Sequence, residues 1–285
     1  MANTHNLFLK FEQEISLPKG KKKKLIASRQ ALQKRIIDYF KTKKGVLVPK
    51  FWIQGSYKMG TMVVDKEGMY DVDLGIYFLS RPSVEPSTLQ KNVLDAVKTH
   101  TTSGVEHRDK CIRVIYAGDF DIDLPIYYKT ESDSHPFLAT KSGWKKSDPK
   151  ELCDWFEKKQ DSNGQLVRVI KYIKAWANHR SRKMPSGIAL TVWAAKYYQP
   201  HGRDDMALFE TLKRVKSDLW CGVECLNPAT PSDDLCAKLD DNQKTNFKEA
   251  LKNFMDEAAN AINSDSMKTT CNIWRQQFGE KFPIA

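Results

Sequence analysis

A chain of 285 residues, 41% of them hydrophobic, is long enough for a well-buried core in one or two lobes, and no uninterrupted apolar stretch approaches a membrane span. Lysine and arginine total 46 against 35 acids, a net charge of +11 that attracts polyanions, nucleotides or nucleic acid, without choosing between them. The six cysteines are scattered, with only Cys221 and Cys225 close, which argues against a disulfide framework; Met1–Leu9 lacks the pattern of a signal peptide, so reduced thiols and a cytoplasmic location are expected.

In chain order, the densest basic run is Lys19–Lys24, which reads as a solvated face or flexible arm that can also draw in nucleic acid. Behind it Leu25, Leu32, Ile36, Tyr39 and Phe40 recur at helical spacing and predict a long amphipathic helix to about Lys43. Val46–Ile53 reads as a short strand that ends in Gln54-Gly55-Ser56-Tyr57-Lys58-Met59-Gly60-Thr61. There Gly55 lets the backbone turn sharply and Ser56 opens a helix, whose orphan N–H groups and hydroxyl favour a phosphate. Glu67-Gly68 is a turn, and Tyr70–Phe78 is a strand rich in valine, isoleucine and aromatics.

Successive strand side chains alternate, so Asp71 and Asp73 project to one side. Two adjacent carboxylates raise each other's pKa unless a cation sits between them, and hard oxygen ligands suit magnesium or manganese. A third acid is expected from a neighbouring strand. Lys110–Tyr116 and Phe120–Tyr128 flank the hairpin turn Ala117-Gly118-Asp119, and Asp121 and Asp123 share a face of the second strand. A Gly-Ser pair alone is usually a turn, and D-x-D recurs by chance. Their succession is different, because aspartate is depleted in strands and rarely buried without a partner.

Glu131–Lys150 reads as a surface loop before Asp148 and Pro149 start a helix, after which the chain is mostly helical. Along Gln165–Arg180, Leu166, Val169, Ile170, Ile173 and Trp176 face a core and leave Arg168, Lys171 and Lys174 as a basic stripe, either a solvated face or a triphosphate contact. Ser186 caps a helix over Gly187–Tyr198. Asp204–Asn227 and Gln243–Asn263 show further helical periodicity, separated by a loop at Asn227–Ser232. Cys221, Cys225 and Cys236 with His201 lack the spacing of a zinc site.

Gly55-Ser56 with Gly60-Thr61, Asp71-x-Asp73 and Ile122-Asp123-Leu124-Pro125 resemble the DNA polymerase beta-type nucleotidyltransferase superfamily, and within it the cGAS/DncV-like nucleotidyltransferases (CD-NTases) of bacterial CBASS anti-phage systems. Val167–Trp176 and Pro185–Thr191 are similar to the helical lobe of the cyclic-nucleotide and oligoadenylate synthases, so the resemblance covers roughly residues 20 to 200. It implies an α+β fold: a mixed-sheet catalytic lobe over residues 1–145, a helical lobe over 146–285 that closes the nucleotide cleft, and a long N-terminal helix bracing both.

The resemblance further implies two Mg2+ ions, with Mn2+ the alternative, held by Asp71, Asp73 and Asp123, the residue that aligns with the third ligand; Asp121 is the fallback. Gln54, Gly55 and Ser56 are then expected to bind the nucleotide, with Lys174 and Ser186 adding contacts to its triphosphate. The implied activity is template-independent synthesis of a cyclic di- or trinucleotide from ATP, GTP or other nucleoside triphosphates, for a downstream effector. A ubiquitin-like conjugation partner acting on a flexible tail, Phe282-Pro283-Ile284-Ala285, is a further expected partner. The other classes are an RNA-tailing nucleotidyltransferase and a catalytically silent nucleotide-binding scaffold.

Overall fold

Alternation of Asp71 and Asp73 with buried Val72 and Leu74, running on into the wholly buried Gly75–Phe78, sets the central strand in the computed structural model of this chain, which describes residues 2–42 and 47–284. From the N-terminus the elements are α1 (His5–Ile15), α2 (Lys19–Lys41), β1 (Lys50–Gln54), α3 (Gly55–Lys58), β2 (Asp71–Phe78), α4 (Pro86–Val97), β3 (Val105–His107) and β4 (Ile112–Tyr116). There follow β5 (Phe120–Leu124), β6 (Ile126–Tyr128), β7 (Phe137–Thr140), β8 (Gly143–Lys146), α5 (Pro149–Glu157) and α6 (Gln165–Asn178). The last elements are α7 (Gly187–Tyr197), α8 (Asp204–Asp218), β9 (Leu226–Asn227), β10 (Thr230–Asp234), α9 (Asp241–Asn263) and α10 (Met267–Phe278). The fold is α+β. It divides into a sheet unit, Leu17–Met59 with Gly68–Cys153, and a helical unit, Met1–Ser16 with Gly60–Glu67 and Asp154–Ala285.

In the sheet unit the strand order is β3-β4-β5-β2-β6-β7-β8, with β1 also paired to β2. β2 runs parallel to β5 and β6 and antiparallel to β1. β5 and β6 are one strand interrupted at Pro125, which has no N–H to give; its carbonyl instead accepts from Ile76 N at 2.9 Å. Buried Ile112, Val114, Ile122, Leu124 and Ile126 continue the apolar rows of β2. The helices α2 and α4 bury Leu25, Leu32, Ile36 and Phe40, and Leu89, Val93 and Val97, and Phe40 meets Phe78 edge-on with ring centroids 5.2 Å apart.

The helical unit is built from α1 and α6–α10 around Phe8, Phe11, Tyr172, Trp274, Phe278 and Phe282, packed ring against ring. Beside this cluster Asp204 is fully buried yet satisfied. It accepts from Arg168 Nε and Nη2 at 2.7 and 3.0 Å, Gln165 Nε2 at 2.9 Å and Tyr172 Oη at 2.8 Å.

Several expectations change. The boundary between units falls after Cys153 rather than residue 145, and Met1–Ser16 and Gly60–Glu67 join the helices, because Phe8 and Phe11 of α1 sit in the aromatic cluster and Val64 N donates to Ile15 O at 2.9 Å. Lys19–Lys24 is no loose arm: it forms the first turns of α2, with Lys21 and Lys24 paired to Asp119 at 3.1 and 2.9 Å. The expected ends at Lys43 and Val46 lie outside the described residues, and β1 starts only at Lys50. Glu131–Lys150 is not all loop but holds the β7–β8 hairpin, whose turn is fixed by Thr140 Oγ1 donating to Gly143 O at 2.8 Å. Thr230–Ser232, expected as loop, starts β10, which pairs with β9. The basic stripe is not a solvated face, since Arg168 binds Asp204 and Lys171 binds Glu12 and Ser16 at 2.5 and 2.9 Å. Phe282 is fully buried in the aromatic cluster, so a flexible tail does not begin there; Ala285 lies outside the described residues. The six cysteines are free thiols, and no described helix is long and apolar enough to cross a membrane.

Burial works against the Asp204 charge, but the hydrogen bonds from Arg168, Gln165 and Tyr172 outweigh it and hold its pKa below the ordinary 3.8. A lowered carboxyl contributes stability above its unfolded pKa and loses it as pH falls through the folded value. Arg168→Met is therefore expected to destabilise the chain at pH 7 by about 3 kcal/mol, leaving a buried carboxylate unpaired. The loss should shrink as pH falls below 3.8 through the lowered folded value, where Asp204 becomes protonated in the parent as well; urea titrations at pH 7 and at successive steps below pH 3.8 measure both.

Candidate active site

Sheet register gathers the acids. Parallel pairing of β2 with β5 sets Asp71 opposite Asp121 and Asp73 opposite Asp123, while β4, antiparallel to β5, sets Arg113 opposite Asp123. Residues directly opposite project to the same face, so one guanidinium stands among four carboxylates. Arg113 Nε and Nη2 donate to Asp123 Oδ1 and Oδ2, both at 2.7 Å; Nη1 donates to Asp121 Oδ2 at 2.8 Å, and Nη2 lies 3.3 Å from Asp71 Oδ2. The Arg113, Asp121 and Asp123 side chains are only 12–15% exposed, whereas Asp71 is 59% exposed.

The Asp71 carboxyl is nonetheless held above the usual aspartate value, first by the solvent that surrounding atoms displace and then by the Asp123 and Asp121 charges, with Arg113 pulling the other way. Cys111, beside Asp123, is a protonated thiol pushed up to about 12 by burial and by that carboxylate.

Gly55 brings the glycine turn onto this face. Gln54, the last residue of β1, lies opposite Asp73, and Gly55 opens the single helical turn of α3 with φ +67°. A Cβ placed on Gly55 would fall 2.1 Å from Asp73 Oδ2. Only glycine permits both the backbone conformation and the approach of that carboxylate. Ser56 follows, half-buried. The buried Gln54 amide donates to Tyr127 Oη and accepts from Tyr77 Oη, both at 3.1 Å, so it locks β1 against β2 and β6 next to Asp73. A Cβ on Gly75 would meet that same amide oxygen at 2.6 Å.

The predicted Lys174 and Ser186 belong to the helical unit, where they come together. Ser186 caps α7, accepting from Ala189 N at 3.2 Å, and a Cβ on Gly187 would lie 3.5 Å from Lys174 Cε. Lys174 is buried, its ammonium donating to Thr61 O and Oγ1 at 3.2 and 3.0 Å.

The sheet face fits divalent cations. Its donors are hard oxygens, its four carboxylates exceed the one guanidinium charge, and Asp121 Oδ1 is buried with no hydrogen-bond partner. Asp123 shares a register step with Asp73, the acid pressed to Gly55, whereas Asp121 lies opposite Asp71. Among the described residues, the group whose ligand atoms all lie within 4.8 Å of one another is elsewhere: His135, Asp148 and Glu151. Capping accounts for it, since Asp148 Oδ1 accepts from Glu151 N at 2.9 Å to start α5, and His135 Nδ1 lies 3.7 Å from Glu151.

Sequence reasoning missed Arg113 and the Gln54-Tyr77-Tyr127 network. The signal for Arg113 was present, an arginine flanked by apolar Ile112 and Val114 in a strand hairpinned to Asp121 and Asp123, but which acid it meets depends on register.

Residues 49–127 match the family described as cyclic GMP-AMP synthase DncV-like, nucleotidyltransferase domain. The chain is 30% identical over 201 residues to a cyclic GMP-AMP synthase of Escherichia albertii, covering 64% of this chain and 45% of that protein. It is 25% identical over 174 residues to a cyclic AMP-AMP-GMP synthase of Enterobacter hormaechei, covering 54% and 44%. These matches thus span less than half the length of either relative. The Vibrio cholerae DncV cyclic AMP-GMP synthase superposes with a TM-score of 0.84 at 20% identity, over 99% of this chain and 97% of that one. Bradyrhizobium diazoefficiens CdnG, solved with GTP, superposes at 0.79 and 14% identity, over 96% and 95%. At such identities the superpositions establish the fold.

Two glycines separate backbone strain from the carboxylate clash. Gly60 has φ +70° with nothing near a Cβ, whereas Gly55 has φ +67° with Asp73 in the way. Gly60→Ala is expected to cost about 1 kcal/mol and Gly55→Ala at least about 2 kcal/mol, with weakened Mn2+ binding in Gly55→Ala alone. Thermal melts and Mn2+ titration monitored by electron paramagnetic resonance read both.

Proposed function

We propose that the chain is a cGAS/DncV-like nucleotidyltransferase that joins nucleoside triphosphates, without a template, into a cyclic di- or trinucleotide second messenger. The observation that carries this reading is the Asp73 carboxylate pressed onto Gly55, which joins the acidic face to the turn suited to phosphate. A packing role gives no reason for four aspartates to share that face.

Asp71, Asp73 and Asp123 hold magnesium, or manganese in its place. When bound, such ions supply the charge that lowers the pKa of the acceptor ribose hydroxyl and screens the pyrophosphate leaving group. The Gly55 turn and the Ser56 hydroxyl hold the donor phosphates, and the Gln54 amide keeps that turn in register with Asp73. In the helical unit, the Lys174 ammonium and the Ser186 cap are the pair proposed to contact phosphate. In each transfer the acceptor 2′- or 3′-oxygen bonds to the donor α-phosphorus while the bond to pyrophosphate breaks, and the hydroxyl proton passes to solvent. The chain's part is positioning and fixed charge, which supply most of the rate in such transfers.

An RNA-tailing activity ranks second, because two lysines of the Lys19–Lys24 run expected as an RNA grip, Lys21 and Lys24, are engaged by Asp119. Incubation with the four labelled triphosphates and magnesium, followed by phosphatase and mass spectrometry, separates the readings: resistant small cyclic products are expected, while extended RNA or no turnover overturns the proposal. Asp71→Asn and Asp73→Asn should each lower the yield about a thousandfold or more while keeping the circular dichroism spectrum. Normal yield from either variant would defeat the assignment.

The released nucleotide is proposed to activate an effector in anti-phage defence. Cells expressing the chain with its neighbouring genes are expected to survive phage challenge, and Asp73→Asn to remove that protection; equal plaque counts with and without the variant would refute the role.

A further inference from the structure

We propose that Arg113 is a positioning residue that clamps Asp123 at both oxygens, is anchored by Asp121, and serves as the counter-cation with which an incoming divalent ion competes. The inference rests on reading Asp71, Asp73 and Asp123 as metal ligands. The geometry is specific to arginine, for two parallel N–H donors reach the two Asp123 oxygens at 2.7 Å while the third nitrogen reaches Asp121 at 2.8 Å. A lysine ammonium carries the charge but cannot make that fork.

Asp121 and Asp123 therefore differ in task. Asp123 stands opposite Asp73 with both oxygens engaged by Arg113, which fixes the plane of its carboxylate. Asp121 stands opposite Asp71, gives one oxygen to Arg113 and keeps the other buried without a partner. It orients the guanidinium from the side away from Asp73. With three carboxylates paired to one guanidinium and Asp73 on the same face, the acids are held together without metal yet outnumber the cation that binds them. Arg113 also subtracts from the potential that draws a dication in, so removing it tightens metal binding while releasing Asp123.

The test compares Arg113→Met, Arg113→Lys and Asp73→Asn. Mn2+ affinity is measured by electron paramagnetic resonance without nucleotide, the melting temperature with and without metal, and kcat separately from the apparent constant for Mg2+. Arg113→Met is expected to bind Mn2+ about tenfold tighter, from the loss of one nearby positive charge. It should also melt lower without metal, gain more from metal and lose kcat. Arg113→Lys should keep Mn2+ affinity near that of the parent while kcat still falls. Unchanged or weaker Mn2+ binding in Arg113→Met overturns the counter-cation role. Should that variant not fold, full kcat in Arg113→Lys overturns the clamp, and reduced kcat at parental Mn2+ affinity supports it. Loss of Mn2+ binding in Asp73→Asn with no change in Arg113→Met removes only this inference; parental Mn2+ binding in Asp73→Asn removes the metal reading beneath it.

Discussion

Repulsion among aspartates is the constraint around which the sheet unit is arranged. Four carboxylates on neighbouring strands, three of them sharing the Arg113 guanidinium, cannot sit in an apolar interior, so that face of β2 and β5 stays partly open to solvent. The opposite face is free of charge. It carries Val72, Leu74, Ile76, Ile122 and Leu124, all buried, and takes the packing of α2 and α4. One strand pair thus does two jobs, with the hydrophobic side supplying the rigidity that holds like charges close on the other.

The glycine turn depends on the same arrangement. Gly55 tolerates its positive φ and the pressure of Asp73 only because Gln54, tied to Tyr77 and Tyr127, holds the end of β1 in place. Gly75 has no Cβ, which leaves room for that amide. Strand pairing, a buried polar network and two missing side chains together fix the distance between turn and carboxylates.

Much of this was legible in the sequence. Period-two alternation placed Asp71, Asp73, Asp121 and Asp123 on strand faces, the glycines marked the turns, helical spacing found α2 and α6, and the Ser186 cap marked the start of α7. What sequence withheld was partnership. Arg168 and Lys171 are spaced like a free basic face, yet Asp204 and Glu12, distant in the chain, claim them. Lys21 and Lys24 look like part of a solvated face or flexible arm until Asp119 is seen across from them. The β7–β8 hairpin hid among lysines and serines because a short edge ribbon needs few apolar residues, and Phe282 is distinguished from a loose end only by the rings that close over it.

The interruption at Pro125 makes the segment from Phe120 to Tyr128 behave as a ruler. Its first half is measured against Asp71–Asp73 and its second against Ile76–Phe78. Deleting or inserting a single amino acid before the proline would exchange Asp121 and Asp123 for Ile122 and Leu124, turning acids toward Phe40 and Phe78 and hydrocarbon toward Arg113. A change of side chain in this stretch alters one position, whereas a change of length reverses every position before the proline. Insertions have somewhere to go only past its ends, as in the connection 130–136 ahead of β7.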